Sequence, residues 1–282
     1  MQNFNLPLYD YLREKNESAE IIAPQAPDGP SPTVTEVSVL VSGTPALKRG
    51  ARATVISGDS VAAPNELNSC CAVVDQTAEG NFSSGVLIAD RLVLTASHSA
   101  PDLCFVRVPA ATFIDGPRID VAKVIRANAD GSPTPDLALL ILSAPAVGVV
   151  PATLGSAGKL EQARTDGLTL CGFGFARDAF GNLIDAGIKR RTVAAVRLDP
   201  PGGSSKRVID VNREFVAGGE NEGIVHDAEV GDSGGPAYLF NTEIVVGITS
   251  RNAAGHKSIF TRVDSHLQWI SAVAKQNGIA FP

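Results

Sequence analysis

From residue 55 onward, apolar residues fall in short runs separated by turn-forming ones, the pattern of many β-strands. Val86 to Ile88 and Leu92 to Leu94 read as two strands around the turn Ala89-Asp90-Arg91. Leu137 to Leu142 is continuously apolar, and Gly247 to Ser250 is another apolar strand that ends in a serine. Residues 176–191 read as a polar loop, after which Arg191 to Leu198 resumes a strand. The pattern changes at Asp264 to Asn277. There Leu267, Ile270, Val273 and Ala274 lie at helical spacing, with Asp264 placed as the N-cap.

The first 54 residues follow another logic. Asp10 to Glu20 is charged and predicts a short helix, with Leu6, Leu8 and Leu12 offering a small apolar face. Ala23 to Pro32 is proline-rich and reads as an extended linker. Val34 to Val41 alternates as a strand does, and Lys48-Arg49-Gly50-Ala51-Arg52 is a basic, small-residue stretch open to proteolysis. The expected division is a tail or pro-segment over 1–54 and a folded domain over 55–282.

Composition narrows the function. With 282 residues, 44% of them hydrophobic and 19% charged, the chain can bury a large core as one domain or two. A net charge of −6 argues against a nucleic-acid or anionic-membrane surface. The most apolar run, Leu137 to Val150, is short and broken by Pro145, so no membrane span is expected. The opening residues lack the basic and apolar regions of a signal peptide. The cysteines Cys70, Cys71, Cys104 and Cys171 show no metal-ligand spacing, and no metal or cofactor is expected.

The chemistry concentrates in Gly231-Asp232-Ser233-Gly234-Gly235-Pro236. Three glycines let the backbone turn where a Cβ would not fit. A serine held in such a turn is exposed, and neighbouring N–H groups converge beside it. Acyl transfer needs that pairing of a hydroxyl nucleophile with donors for the oxyanion it creates. Such a serine requires a base and an orienting carboxylate. His98 follows an apolar run in Thr95-Ala96-Ser97-His98, and Asp136 stands at the mouth of Leu137 to Leu142. A carboxylate there is buried at a cost unless a donor such as an imidazole N–H meets it. Gly231 to Gly235 also fits a Gly-x-Ser-x-Gly esterase elbow, but the histidine lies upstream and Pro236 breaks the helix that elbow requires. Gly172-Phe173-Gly174 lacks the third glycine of a dinucleotide loop.

The six-residue motif resembles the nucleophile motif of the chymotrypsin/trypsin-like serine peptidases. Thr95-Ala96-Ser97-His98 resembles their Thr-Ala-Ala-His, and Asp136 to Leu140 their Asp-Ile-Ala-Leu-Leu. The order His98, Asp136, Ser233 is the family order. Gly172-Phe173-Gly174 resembles the turn that opens the second barrel, and Phe215 to Gly218 the strand before the specificity loop. The resemblance spans about residues 55–282. It implies an all-β fold of two packed antiparallel six-stranded β-barrels with a C-terminal helix. It also implies a serine endopeptidase acting on protein or peptide substrates, with Gly231 and Ser233 N–H groups forming the oxyanion hole. A non-catalytic binding module on the same fold is the alternative.

Further roles follow only from the resemblance. Asp227 matches the acidic base of the primary specificity pocket, which implies cleavage after Arg or Lys. Ser250 matches the serine that hydrogen-bonds the catalytic aspartate. Asn252 and Ser258 stand where deep-pocket relatives carry glycine, side chains that would narrow the slot, and the neighbouring Arg251 or Lys257 would neutralise Asp227 from within it. Val55-Ile56-Ser57-Gly58 resembles the start of the mature enzymes, so an activating protease would free a Val55 amine to pair with Asp232. Ser83 and Ser99 stand where relatives carry a bridging cysteine pair. Their absence, with no recognised signal, points to a cytoplasmic protein, the alternative being secretion by an unrecognised route.

Overall fold

The computed structural model describes residues 53–55, 60–63, 65–78, 80–128, 135–177, 183–197, 209–221, 224–253 and 257–281. These residues lie in one compact unit, Ala51–Pro282. The elements expected between residues 6 and 41, the basic stretch up to Arg52, and Ile56 to Gly58 lie outside the described residues.

Two short strands come first, β1 (Ala53–Val55) and β2 (Ser60–Val61). Six strands then form a closed barrel: β3 (Cys70–Asp75), β4 (Phe82–Ala89), β5 (Leu92–Thr95), β6 (Cys104–Arg107), β7 (Arg118–Arg126) and β8 (Ala138–Leu142), in the ring order β3-β4-β5-β8-β7-β6. Alternation supplies its core: Cys71 and Val73 from β3, Val93 from β5, Leu140 and Leu142 from β8 point inward together. β8 is buried along its whole length, which is why it reads as a continuous apolar run.

The chain then crosses through β9 (Thr153–Leu154) and the helix α1 (Lys159–Asp166) to the second half. Its strands are β10 (Leu168–Gly172), β11 (Ala176–Arg177), β12 (Leu183–Ile184), β13 (Arg190–Ala194), β14 (Val196–Arg197), β15 (Glu214–Gly218), β16 (Glu220–Asn221), β17 (Ile224–His226), β18 (Pro236–Leu239), β19 (Ile244–Ala253) and β20 (Lys257–Arg262). The main sheet runs β14-β15-β20-β19-β18-β10-β13-β2, and β9 joins β19 in parallel. β13 and β14 are one extended run interrupted at Ala195. The first half pairs with β10 and the second with β15, and Gly218 N–H donates to the Ala195 carbonyl (3.1 Å). That shared run curves the sheet into a half-barrel, so of the two six-stranded barrels expected one is closed and the second is an open, curved sheet. Leu168, Leu170, Ala217, Leu239 and the stacked pair Phe215–Phe260 fill it, the rings 5.1 Å apart.

Two local expectations need correction. Residues 176–191 are not simply a polar loop: they contain the β11–β12 pair and the fully buried Lys189. The Lys189 Nζ donates to the Glu66 carbonyl at 2.8 Å, and this tertiary bond is what lets a charged side chain be buried there. Asp264 does not cap the C-terminal helix. It opens a 3-10 turn, Asp264–His266, and its carboxylate is taken by the Arg262 guanidinium (2.7 and 3.0 Å), while the helix α2 (Leu267–Gln276) starts after His266. The expected apolar face holds, with Ile270, Val273 and Ala274 buried. All four cysteines are buried free thiols.

Candidate active site

Strand register brings the first pair of residues together. β5 and β8 run antiparallel with Thr95 opposite Ala138, so the two residues beyond Thr95 return to the two residues before Ala138. Asp136 therefore faces the 3-10 turn Ser97–Ser99 that carries His98. One carboxylate oxygen accepts the His98 backbone N–H at 3.1 Å, and the other lies 2.7 Å from His98 Nδ1. A β-bulge between Thr249 and Arg251 re-aims Ser250, whose hydroxyl donates to the same Asp136 oxygen at 2.6 Å. Asp136 is 7% exposed. Burial pushes its carboxyl up, but the His98 hydrogen bond and charge, the Ser250 hydroxyl and the His98 amide together outweigh this and hold it below the ordinary carboxylate value.

Two consecutive turns shape the nucleophile loop. Asp232 N–H donates to the Glu229 carbonyl (3.0 Å) with Gly231 at φ +97°, the positive third position of a type II turn. Gly235 N–H donates to the Asp232 carbonyl (2.8 Å) with Gly234 at φ +82°, which puts Ser233 at the second position of the next turn. Gly234 N–H and the Gly235 carbonyl bind Thr249, tying the loop to β19 (2.8 and 2.9 Å). A Cβ on Gly234 would collide with Thr95 Oγ1 and the Ser84 carbonyl. Gly234, the residue after Ser233, is thereby seated against the end of β5, where the chain leads into the His98 turn. Among the described residues, neither Gly231 N–H nor Ser233 N–H donates to a backbone carbonyl.

Asp232 turns inward and is 1% exposed. Its carboxylate accepts the Gly174 N–H at 2.7 Å and the Glu229 N–H at 2.9 Å. Glycine is required opposite it, since a Cβ on Gly172 or Gly174 would enter the carboxylate. Burial raises this carboxyl to about 7, against the two amide hydrogen bonds and the more distant Arg190 charge. β1 runs parallel to β17, with Val55 opposite His226.

Asp227 is buried at the start of the segment leading to the nucleophile loop. Ser258, fully buried on β20, accepts the Ala228 N–H at 2.8 Å and so ties β20 to the segment that leads to the nucleophile loop. Asn252 is its ladder partner on β19 and is exposed. Arg251 turns away from the role considered for it: its guanidinium forks onto the buried Glu214 carboxylate (2.7 and 3.0 Å). Sequence reasoning missed Ser84, Thr95 and Phe82 as parts of the site. The Phe82 ring lies 2.9 Å from where a Gly231 Cβ would stand, and it stacks on Phe113 at 4.5 Å. Among the described residues no group of three or more His, Cys, Asp or Glu is placed to hold a metal ion.

Comparison with known proteins bears on this arrangement. Mouse (Mus musculus) vitamin K-dependent protein C is 29% identical over 226 residues, 70% of this chain, which spans about half (47%) of that protein's length. Among solved structures, the fold is similar to the Vibrio cholerae VesB protease (24% identity, TM-score 0.59, 77% of this chain and 67% of that one). It is also similar to the HL collagenase (21% identity, TM-score 0.60, 83% of this chain and 100% of that one). The Trypsin family profile matches residues 55–270, and the chain belongs to that family of serine peptidases.

Proposed function

We propose that the chain is an active serine endopeptidase with Ser233 as nucleophile, His98 as general base and Asp136 as the carboxylate that orients and stabilises the imidazolium. The observation that carries this reading is the hydrogen-bonded set His98–Asp136–Ser250, with the turn residue after Ser233, Gly234, bound to Thr249 next to Ser250. His98 takes the Ser233 proton as the oxygen attacks the scissile carbonyl, and the oxyanion forms against the Gly231 and Ser233 N–H groups. His98 then protonates the leaving amine, and water repeats the sequence on the acyl-enzyme. Labelling by a fluorophosphonate, compared with Ser233→Ala, tests it. A folded, activated protein that stays unlabelled would leave a binding module on a peptidase fold.

Asp227 supports cleavage after Arg or Lys, since a buried carboxylate at the foot of a slot favours a guanidinium or ammonium. Rates on matched Arg, Lys, Phe and Ala substrates decide this, and a Phe or Ala preference unchanged in Asp227→Ser would remove it. Activation by cleavage ahead of Val55, after Arg52 or Thr54, is part of the same reading. N-terminal sequencing of active-site-labelled protein tests it, and full activity of a chain beginning at Met1 would exclude it. Four buried free thiols support a reducing, cytoplasmic setting. Recovery of the native protein outside the cell with paired cysteines would overturn that.

A further inference from the structure

Ser84 lies on β4 of the first barrel and is fully buried. All of its polar atoms are engaged. Its hydroxyl donates to the Gly231 carbonyl at 2.8 Å and accepts the Phe173 N–H at 3.0 Å. Its backbone N–H donates to the Ser233 carbonyl at 2.9 Å, and its carbonyl accepts the Thr95 hydroxyl at 2.8 Å. Two of these four partners belong to Gly231 and Ser233, the residues whose N–H groups serve the oxyanion in the mechanism proposed above. The nucleophile loop also wraps closely around it, for a Cβ on Gly235 would stand 3.2 Å from the Ser84 Cβ.

The peptide joining Gly231 to Asp232 is held at both ends, its carbonyl by Ser84 Oγ and its N–H by the Glu229 carbonyl. Because a peptide is planar, those two bonds fix its orientation and remove freedom that a glycine would otherwise keep. The Ser233 carbonyl is fixed from the same residue. We infer that Ser84 is a positioning residue for the oxyanion hole: its hydroxyl, bridging the Gly231 carbonyl and the Phe173 amide, holds the Gly231 and Ser233 N–H donors at the separation one oxyanion requires. This rests on the peptidase reading above. Without the hydroxyl, the Gly231 carbonyl and Phe173 N–H are buried polar groups with no partner. They satisfy each other only by closing the gap that the oxygen fills, which draws Gly231 out of place.

The test is Ser84→Ala in the active form of the protein, with whichever N-terminus it carries, on a peptide ester or amide substrate. Removing an oxyanion donor typically costs about 100- to 1,000-fold in turnover, so displacing one should cost roughly 10- to 100-fold in kcat, with KM within about threefold. A peptide aldehyde, whose hemiacetal oxygen occupies the hole, should lose affinity by the same factor as kcat/KM. The corresponding peptide alcohol, which forms no tetrahedral adduct, should bind as before. If Ser84→Ala does not fold, Ser84→Cys takes its place, with a weak S–H donor where the hydroxyl was. Its kcat should fall with KM nearly unchanged. An inert wild type would overturn the peptidase reading and this inference with it. An active wild type whose Ser84 variant keeps its kcat and aldehyde affinity, or loses aldehyde and alcohol affinity alike, overturns the role of Ser84 alone.

Discussion

The buried carboxyl of Asp232 makes a stability prediction with a definite sign. Its folded value is raised from 3.8 to about 7, first by burial and then by the neighbouring Glu229 charge, while amide hydrogen bonds and Arg190 oppose the shift. A raised folded value means that the native state binds its proton more tightly than the unfolded chain. The stabilisation is therefore fully present below about 3.8 and is lost as pH rises through about 7. The shift corresponds to about 4 kcal/mol in total, of which about 2–3 kcal/mol falls between roughly pH 5 and pH 8. The assay is urea unfolding of the intact Ser233→Ala chain, which cannot digest itself, with and without Asp232→Asn. The aspartate chain should lose that amount relative to the asparagine chain across the interval, whatever their absolute difference. In a cut chain whose new amine pairs with Asp232, the carboxyl falls and the pH dependence should disappear. Parallel pH profiles for the two intact chains would refute the reasoning, because they would mean that Asp232 does not titrate there.

The remaining predictions concern the site and its walls. Asp136→Asn should lower kcat by about 10⁴-fold through the wrong imidazole tautomer, whereas Ser250→Ala, which removes one charge-assisted hydrogen bond, should cost roughly 10- to 100-fold; steady-state kinetics on one ester substrate compares them. Gly234→Ala should abolish both labelling and a cooperative melt near the wild-type temperature, because its Cβ meets Thr95 and the Ser84 carbonyl at a positive φ. Ser258→Gly should free the Ala228 amide and widen the proposed slot above Asp227, raising kcat/KM for Arg relative to Ala substrates; an unchanged ratio would show that Ser258 does not narrow it.

What was legible in the sequence is what local chemistry fixes. Gly231 to Pro236 specifies its own turns, because positive φ at Gly231 and Gly234 leaves glycine as the residue that fits. Asp136 was legible because a carboxylate at the mouth of an apolar strand needs a donor, and the β5–β8 register supplies His98. Ser84 was not legible, since its partners Gly231, Phe173 and Ser233 are distant in sequence and meet it only when the barrels pack. Arg251 illustrates the same limit. Its place next to Asn252 suggested Asp227 as its partner, but the sheet places the buried Glu214 within reach of its fork. The Asp264 cap failed to a competitor two residues away, since Arg262 offers that carboxylate two charged N–H donors.

Asp232 is where the activation proposal and the fold meet. Its two amide donors come from Gly174, which leads into β11, and from Glu229, which follows β17. β1 pairs with β17 and runs close to β11, the two strands that neighbour Glu229 and Gly174 in the chain. The rungs are Ala53 with Ile224, Thr54 with Val225 and Val55 with His226. Cleavage after Arg52 keeps all three, whereas cleavage after Thr54 removes two and leaves Val55 alone beside His226. The pairing thus favours Arg52 as the bond whose cutting preserves the strand, and Thr54 as the bond whose cutting frees a terminus to leave it. The two differ at Asp232 itself. In the first case the carboxylate keeps its amide donors and its raised pKa; in the second a mobile amine is released next to the segments that carry those donors.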